Sequence, residues 1–478
     1  MTSPGPRWTA LLAIALACSP LAGCNGRPLS SSNPSCGPGT LELCDGECVD
    51  IRYDPNNCGG CDLVCSTGQC DNGHCVVGSG GGGGGYAGGG GYAGGGGYAG
   101  GGGYAGGGGI AGGGGIAGND GSVFMPPADM ATDSPSEAHS FRIDPAHTGG
   151  QPADVFTPPL TAAWTYDAGG PISYPLVAGG RVFITTSGTA SVVVALDAAT
   201  GSVVWGPQAL SGLHAYDAGH LFVLGGSGLL VALDAATGKQ QWSAELTGQF
   251  DFWSPPIAAA GLVLVNGLES GGTTYAVDEN NGAIVWTNDT FDGSDGAVAI
   301  ADGVVYEAEA CDQVTAWQQF SAEQLWYHQT GCTGGGGAAP VVYQGRVYVR
   351  DWAEGNTILD ITSGTALGTF SGSVPPAFAN GIGYYLDSST LRAVTIADNT
   401  VQWSFAADGT LTTAPVVGGG YVFVGGSSGN LYALDANGQQ VWTTNVGGPI
   451  NSSAEVNSMT VAANMLFVPA GNVLAAYR

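Results

Sequence analysis

The chain has 478 residues, of which only 10 are lysine or arginine and 38 are aspartate or glutamate, so its formal net charge is −28. Such an excess of negative charge excludes nucleic acid and anionic lipid headgroups as electrostatic partners. Most of the 12 cysteines lie before residue 76, and this density is typical of a protein exported to an oxidising compartment.

The first residues form an export signal. Arg7 precedes the apolar run W-T-A-L-L-A-I-A-L-A-C, which is too short to span a membrane and is followed by small residues. Residues 21–24, L-A-G-C, resemble a bacterial lipobox, which implies cleavage after residue 23 and acylation of Cys24. We therefore expect a lipoprotein signal peptide at 1–23 and a tether at 24–35. An ordinary signal peptide is the alternative.

A cysteine-rich segment occupies residues 36–75. Its cysteines are Cys36, Cys44, Cys48, Cys58, Cys61, Cys65, Cys70 and Cys75. A segment this small cannot bury a sufficient core, so we predict a disulfide-rich module of undetermined connectivity. A redox pair or zinc knuckle at C-G-G-C is the alternative. The run C-V-D-I-R-Y-D-P-N-N-C-G-G-C-D-L-V-C resembles the stigma-specific-protein-like module, which implies a surface protein and no catalytic residues.

Residues 76–138 are predicted to be a glycine-rich flexible linker. Within them an aromatic or aliphatic residue recurs every six positions, at Tyr86, Tyr92, Tyr98, Tyr104, Ile110 and Ile116. Glycine loses much backbone entropy on ordering, so a tether with a root-mean-square reach of roughly 35 Å is expected. A sticky face formed by the periodic side chains is the alternative. The long tether favours the outer membrane or the cell surface as the location.

A repeated strand–turn–strand motif dominates residues 139–478. It reads A-L-D-A-A-T-G-S-V-V-W from Ala195 and A-L-D-A-A-T-G-K-Q-Q-W from Ala232, 37 residues later. The aspartate can bond the turn backbone, and the glycine supplies a positive φ. An apolar hairpin such as P-L-V-A-G-G-R-V-F-I, from Pro175, precedes each copy. Four strands every 40 or so residues are typical of a propeller blade.

One large aromatic ring ends each repeat and is expected to pack between neighbouring blades. These rings are Trp164, Trp205, Trp242, Trp286, Trp326, Phe370, Trp403 and Trp442. The last unit has three strands, and the segment around Trp164 supplies a fourth, which closes the ring and removes its open edges. The sequence therefore predicts an all-β, eight-bladed propeller of four-stranded blades, with seven blades as the alternative.

The motif A-L-D-x-x-T-G-x-x-x-W resembles the PQQ-like repeats of quinoprotein alcohol dehydrogenases over residues 139–478. That family also contains propellers without a cofactor, such as the lipoprotein of the outer-membrane β-barrel assembly machinery. The resemblance implies the fold more strongly than any one function. His147, in F-R-I-D-P-A-H-T-G-G, matches the lead-in that precedes the first strand in this family, and we expect it to be structural.

Residues for quinone chemistry are scarce in the propeller. A quinone tricarboxylate needs cationic partners, and the basic residues after 138 are spread singly along the chain. The adjacent cysteine pair of the dehydrogenases is absent. Cys311 and Cys332 are expected to form a structural disulfide, with free thiols or a metal site as the alternative. The acidic loop at 289–296 lacks the spacing of a calcium loop, so we expect a solvated turn.

These observations predict a monomeric, lipid-anchored surface propeller that acts as a protein-binding or envelope-assembly scaffold, without catalysis, cofactor or metal. A PQQ-dependent dehydrogenase is one alternative. A polysaccharide-binding surface protein is another, because the loop F-D-F-W at 250–253 can present aromatic rings to a sugar polymer. The expected partner is a protein or polymer of the envelope, and the membrane is contacted through the lipid alone.

Overall fold

A computed structural model describes residues 41–44, 47–50, 70–71, 74–75, 136–188, 191–268, 272–291, 293–294, 296–330, 337–351, 355–450 and 458–478. The chain divides into two compact units, Met1–Gly113 and Gly114–Arg478. In the first, β1 (Leu41–Cys44) pairs with β2 (Glu47–Asp50), and β3 (Cys70–Asp71) pairs with β4 (His74–Cys75). The predicted signal peptide, Cys24, most of the cysteine module and the glycine-rich linker lie outside the described residues.

Among the described residues of the second unit, the secondary structure consists of strands and one 3-10 turn at Ala310–Asp312. Two strands come first in the chain: β5 (Gly150–Gln151) and β6 (Ala162–Asp167). The strands of blades 1 to 4 follow in order: β7 (Leu176–Ala178), β8 (Arg181–Thr185), β9 (Val193–Asp197), β10 (Val203–Gln208); β11 (Leu213–Asp217), β12 (His220–Leu224), β13 (Leu229–Asp234), β14 (Gln240–Glu245); β15 (Ile257–Ala259), β16 (Leu262–Gly267), β17 (Thr273–Asp278), β18 (Ile284–Asp289); β19 (Ala299–Ala301), β20 (Val304–Ala308), β21 (Val314–Gln318), β22 (Gln324–His328).

Blades 5 to 8 complete the ring. Their strands are β23 (Val341–Tyr343), β24 (Arg346–Arg350), β25 (Asn356–Asp360), β26 (Ala366–Thr369); β27 (Ala377–Ala379), β28 (Ile382–Asp387), β29 (Thr390–Thr395), β30 (Val401–Phe405); β31 (Val416–Gly418), β32 (Tyr421–Gly425), β33 (Asn430–Leu434), β34 (Gln440–Asn445); β35 (Thr460–Ala462), β36 (Met465–Ala470) and β37 (Val473–Tyr477).

The strands of each of blades 1 to 7 form an antiparallel sheet in chain order, and β5 adds a short parallel strand beside β31 at the inner edge of blade 7. The first strands of neighbouring blades contact one another, so they surround the central axis and the fourth strands form the outer rim. Blade 8 takes its fourth strand from the N-terminal side: β6 pairs with β37, with Trp164 opposite Ala476. Thr161 and Arg478 exchange two main-chain hydrogen bonds at the join. The predicted count of eight blades and the predicted closure are both confirmed.

Burial follows the position of a strand in its blade. The second and third strands are apolar on both faces because each blade is covered by a neighbour on either side, and β16 is buried at all six positions. The fourth strands alternate between exposed and partly buried residues, as in β14. Successive side chains of a strand point to opposite faces of the sheet, so the residues of an outer strand alternate between a covered face and a face open to solvent.

An indole of the fourth strand locks one blade onto the next. At six interfaces the ring nitrogen donates to a main-chain carbonyl of the following blade at 2.7–3.0 Å. The donor and acceptor pairs are Trp164 and Ala198, Trp205 and Ala235, Trp242 and Glu279, Trp286 and Gln319, Trp326 and Ile361, and Trp403 and Ala436. In five of these the ring also covers the glycine of the next turn. Trp442 packs its ring against Tyr477, in the blade that joins the two ends of the propeller.

Phe370, the ring predicted for the fifth repeat, packs between Tyr348 of blade 5 and Tyr385 of blade 6, but not at the tryptophan position. Ile358 of β25 stands opposite Gly368, which is the register that Ala276 and Trp286 share in blade 3. Phe370 lies two residues further on, beyond the end of β26, so it does not occupy the tryptophan position. The step from the turn aspartate to the tryptophan, as from Asp278 to Trp286, leads from Asp360 to Gly368, so the repeat spacing itself places a glycine at this position.

The indole–glycine contact can be tested by adding one methyl group. A Cβ on Gly238 would lie 2.7 Å from the Trp205 ring and would also meet the flexible side chain of Gln208. Gly180 has nearly the same φ, +72° against +71°, and open space around it. We expect Gly238→Ala to lower the unfolding free energy by about 3 kcal/mol, through backbone strain and displacement of the indole. Gly180→Ala should cost about 1 kcal/mol, through strain alone. Equal losses in chemical denaturation would contradict the proposed lock.

Candidate functional site

The blade topology gives the propeller two different faces. Turns between first and second strands, and between third and fourth strands, lie on one face, which we call the turn face. Loops between second and third strands, and the crossing loops from each blade to the next, lie on the opposite face, which we call the loop face. This assignment follows directly from four antiparallel strands in chain order.

The lead-in segment, residues 136–149, runs around the central axis. The first strands of seven blades, or the residue just after them, donate one main-chain hydrogen bond each to its carbonyls. In chain order the acceptors are Ser136 (blade 8), Ala138 (blade 1), His139 (blade 2), Pro145 (blade 4), Ala146 (blade 5), Thr148 (blade 6) and Gly149 (blade 7). The segment thus follows the ring once and satisfies the inner edges of the blades. Residues 136–138, predicted as linker, belong to it.

Two side chains of the lead-in are buried at the axis. The Arg142 guanidinium donates to the carbonyls of Pro376 and Pro415 at 2.9 and 2.8 Å. His147 Nδ1 donates to the Pro340 carbonyl at 2.9 Å, and burial lowers the pKa of His147 to about 4, so it is neutral. Arg142, Ile143 and His147 all have positive φ, which costs backbone energy that these contacts offset. This geometry agrees with a structural His147.

The loop face of blade 4 carries a buried polar turn. Cys311 and Asp312 have φ of 68° and 57°, and Thr357 donates to Asp312 across to blade 5. Cys311 is disulfide-bonded. Its predicted partner, Cys332, lies outside the described residues, so that pairing stays a prediction.

Glu307 and Glu309 lead into this turn, and each is about 1% exposed. Thr274 of blade 3 donates to Glu307 Oε2 at 2.5 Å, and Thr315 donates to Glu309 at 3.1 Å. Burial is the main cause that raises the pKa of Glu307 to about 8, and the charge of Glu309 adds to it. Glu307 is therefore mostly protonated at neutral pH. Sequence reasoning missed this pair, although two acids two residues apart in an apolar strand share one face.

A cavity of about 270 Å³ opens on the loop face between blades 1 and 2. Its floor contains Ser173 and Thr185, whose hydroxyls lie 2.8 Å apart, and Phe252 and Trp253 line its side. No charged side chain lines it. A neutral ligand or side chain with both apolar and hydroxyl groups would suit this lining.

Exposed aromatic rings mark the same face. Phe250 is 75% exposed and Trp253 is 61% exposed, both in the crossing loop from blade 2 to blade 3. Phe291, 61% exposed, lies in the next crossing loop. We call these three residues the aromatic patch. Large exposed rings on neighbouring loops are typical of a binding surface, since they lose solvent contact without a large entropic cost.

A quinone tricarboxylate does not fit the described residues. Arg142 is committed to two carbonyls at the axis, and Arg346 donates to the Ile396 carbonyl. The cavities lined by Arg350 and Arg392 each contain a carboxylate as well, from Asp351 or Asp387. No two cations converge in these cavities, and a tricarboxylate needs such convergence. Within the described part of the chain, no cluster of three potential metal-ligating side chains occurs.

The acidic loop at 289–296 is described only in part. Asp289 accepts from Thr273 at 3.3 Å within blade 3. Ser294 donates to the Ala308 carbonyl at 2.8 Å and so links this crossing loop to blade 4. Within the described residues, no helix has both the length and the hydropathy that crossing a membrane requires.

Together these features define an eight-bladed propeller whose axis is lined by its own lead-in and whose loop face carries the exposed rings. The family model described as outer membrane protein assembly factor BamB matches residues 161–209, 189–289, 270–383 and 387–478, and the chain belongs to that family. No curated protein matched the chain.

Solved structures share the fold at low identity. BamB from Moraxella catarrhalis is 20% identical, with a TM-score of 0.53 over 67% of this chain and 99% of that one. Quinohemoprotein alcohol dehydrogenase from Comamonas testosteroni is 16% identical, with a TM-score of 0.58 over 72% and 80%. The computationally designed Ika8 protein is 14% identical, with a TM-score of 0.54 over 66% and 98%. An assembly factor, an enzyme and a design share this architecture, so fold alone does not assign function.

The buried Glu307 predicts a pH dependence of stability. Its pKa is raised in the folded state, so the folded protein holds a proton that the unfolded chain has released between pH 4.5 and 8. The unfolding free energy therefore falls as pH rises through this range, by up to about 1.4 kcal/mol per pH unit. We expect Glu307→Gln to remove this part of the loss between pH 6.5 and 8, as measured by urea denaturation. Glu323→Gln, at an exposed position, should leave the pH profile unchanged. A wild-type profile for Glu307→Gln would show that Glu307 does not hold this proton.

Proposed function

We propose that this protein is a monomeric, lipid-anchored scaffold of the bacterial outer membrane or cell surface that binds a protein partner and does no chemistry. The aromatic patch of Phe250, Trp253 and Phe291 carries the proposal, because exposed rings are unfavourable in water unless a partner covers them. Membership of the BamB family supports a role in envelope assembly. The poor fit of a quinone supports a role without catalysis.

The loop face suits docking better than the turn face. The lead-in enters the propeller near the 1–2 turns of the blades, and its carbonyls are taken by the first strands. The aromatic patch and the cavity between blades 1 and 2 both lie on the loop face. The net charge of −28 disfavours docking on acidic polymers and favours a partner with a neutral or basic surface.

A polysaccharide is the second candidate partner. The cavity between blades 1 and 2 has a hydroxyl-bearing floor, an aromatic side and no charged side chain, which is the lining that a neutral sugar ring requires. Binding of the purified protein to immobilised envelope polysaccharide, and the absence of a protein partner, would favour this candidate.

Removal of the aromatic patch should abolish partner capture. In cross-linking of intact cells followed by affinity purification, we expect the double variant Phe250→Ser/Trp253→Ser to lose the partner at least tenfold, because buried aromatic anchors contribute about 2 kcal/mol or more each. Phe320→Ser is the matched control, since Phe320 is 52% exposed but lies on a third-to-fourth-strand turn of the turn face. Retention of the partner by the double variant, or its equal loss in the control, would refute docking through this patch.

Lipidation of Cys24 is tested separately. Mass spectrometry of the mature protein should show an acylated N-terminal Cys24, and Cys24→Ala should move the protein from the membrane fraction to the soluble fraction, since acyl chains supply the whole of its membrane affinity. Cys311→Ser should leave fractionation unchanged. An unmodified mature N-terminus at any other residue would exclude the lipoprotein assignment.

A further inference from the structure

The interface between blades 5 and 6 departs from the repeat at three positions that meet. Gly368 stands where the other fourth strands carry tryptophan, and Ile358 opposite it replaces the usual alanine. Asn399, with φ of 57°, stands in the next turn where five other turns carry the glycine that the indole covers. Both partners of the lock are therefore missing at one and the same interface.

A different residue makes the missing hydrogen bond. Arg346 Nη1 donates at 2.9 Å to the carbonyl of Ile396, which corresponds to the carbonyl that accepts from tryptophan at the other interfaces. The stacked pair Tyr343 and Phe378, with ring centroids 5.0 Å apart, adds contact between the same blades. Blades 5 and 6 are thus held together without an indole, so the space that an indole would fill is not needed for the fold.

An open cleft of about 350 Å³ adjoins this position and is lined by Ile358, which stands opposite Gly368, and by Asn399 of the next turn. A Cβ built on Gly368 would meet no atom within 4 Å beyond its chain neighbours, so a side chain can leave the backbone here without a clash. Phe370 and Tyr385 line the cleft, with ring centroids 5.5 Å apart. Ile358 and Val394 also line it and supply apolar surface. An adjoining cavity of about 340 Å³, which shares Phe370, Ser371 and Asp387, extends the opening towards the loop face.

The charged groups of the cleft balance. Arg392 and Asp387 form an ion pair at 3.4 Å, and both side chains are about one-third exposed. The pair leaves no net charge to attract an anion, yet the guanidinium can still lie against an aromatic ring. Thr369, Ser371 and Asn399 add neutral polar groups at the edge. The lining therefore favours a neutral, flat, partly polar group over an acid or an aliphatic chain.

We propose that this cleft binds an aromatic side chain, indole or phenol, carried by a partner polypeptide, in the place that the chain's own tryptophan takes at six other interfaces. That the partner is a polypeptide rests on the proposed scaffold function. The recognition of an aromatic ring rests only on the lining of the cleft. Because the cleft lies between blades 5 and 6, it is a second site, separate from the aromatic patch on the loops around blade 3.

The test uses the full-length protein and small probes. In ligand-observed NMR, N-acetyl-tryptophanamide and N-acetyl-tyrosinamide should bind saturably, and N-acetyl-leucinamide should bind at least tenfold more weakly. Gly368→Trp should reduce binding of the aromatic probes at least tenfold, because the new indole fills the cleft. Val204→Trp is the matched control: it adds an indole at an exposed position of a fourth strand in blade 1, and binding should be unchanged.

A second variant tests the proposal independently, in case Gly368→Trp does not fold. Phe370→Ala removes a wall of the cleft without adding bulk and should also reduce binding at least tenfold. Absence of saturable binding to wild-type protein, equal binding of the leucine probe, or full binding to a folded Gly368→Trp or Phe370→Ala variant would overturn the proposal. Since the probes replace the partner, these results stand whether or not a protein is captured through the aromatic patch.

Discussion

The contact of an indole with the turn of the next blade is the interaction on which the propeller depends. A blade is a twisted sheet with two apolar faces, and it gains stability only when a neighbour covers each face. The tryptophan sets the spacing of that contact, since its ring rests on a glycine and its nitrogen donates to a fixed carbonyl, as Trp205 does with Gly238 and Ala235. The hydrogen bond recurs at six interfaces and the contact with glycine at five of them, so the same geometry joins successive blades around most of the ring.

Ring closure is the second constraint, and the two ends of the propeller satisfy it together. The N-terminal strand β6 completes blade 8, so the third strand of that blade is paired on both sides and all eight blades have four strands. The lead-in satisfies the inner edges in the same way, with one carbonyl for each of seven first strands. Main-chain hydrogen bonds at the axis and indoles near the rim therefore hold the same blades from both sides.

Functional surfaces arise where this regularity is relaxed. Crossing loops on the loop face take no part in the contact between indole and turn, and they expose Phe250, Trp253 and Phe291. Blade 4 buries Glu307 and Glu309 beside a disulfide-bonded turn with positive φ, at a cost that a purely structural repeat would not incur. The interface of blades 5 and 6 replaces tryptophan with glycine and opens a cleft. The scaffold role that we propose would use such places for binding.

The sequence by itself determined the fold class, the four strands per blade, the count of eight and the closure by the segment around Trp164, because these follow from a repeated local pattern of apolar strands, aspartate–glycine turns and aromatic ends. Tertiary structure alone decided three things. The path of the lead-in depends on main-chain hydrogen bonds to distant strands, which carry no side-chain pattern. The packing of Phe370 between Tyr348 of blade 5 and Tyr385 of blade 6 depends on how the two blades meet. The protonation of Glu307 depends on burial by a neighbouring blade, which no local sequence encodes.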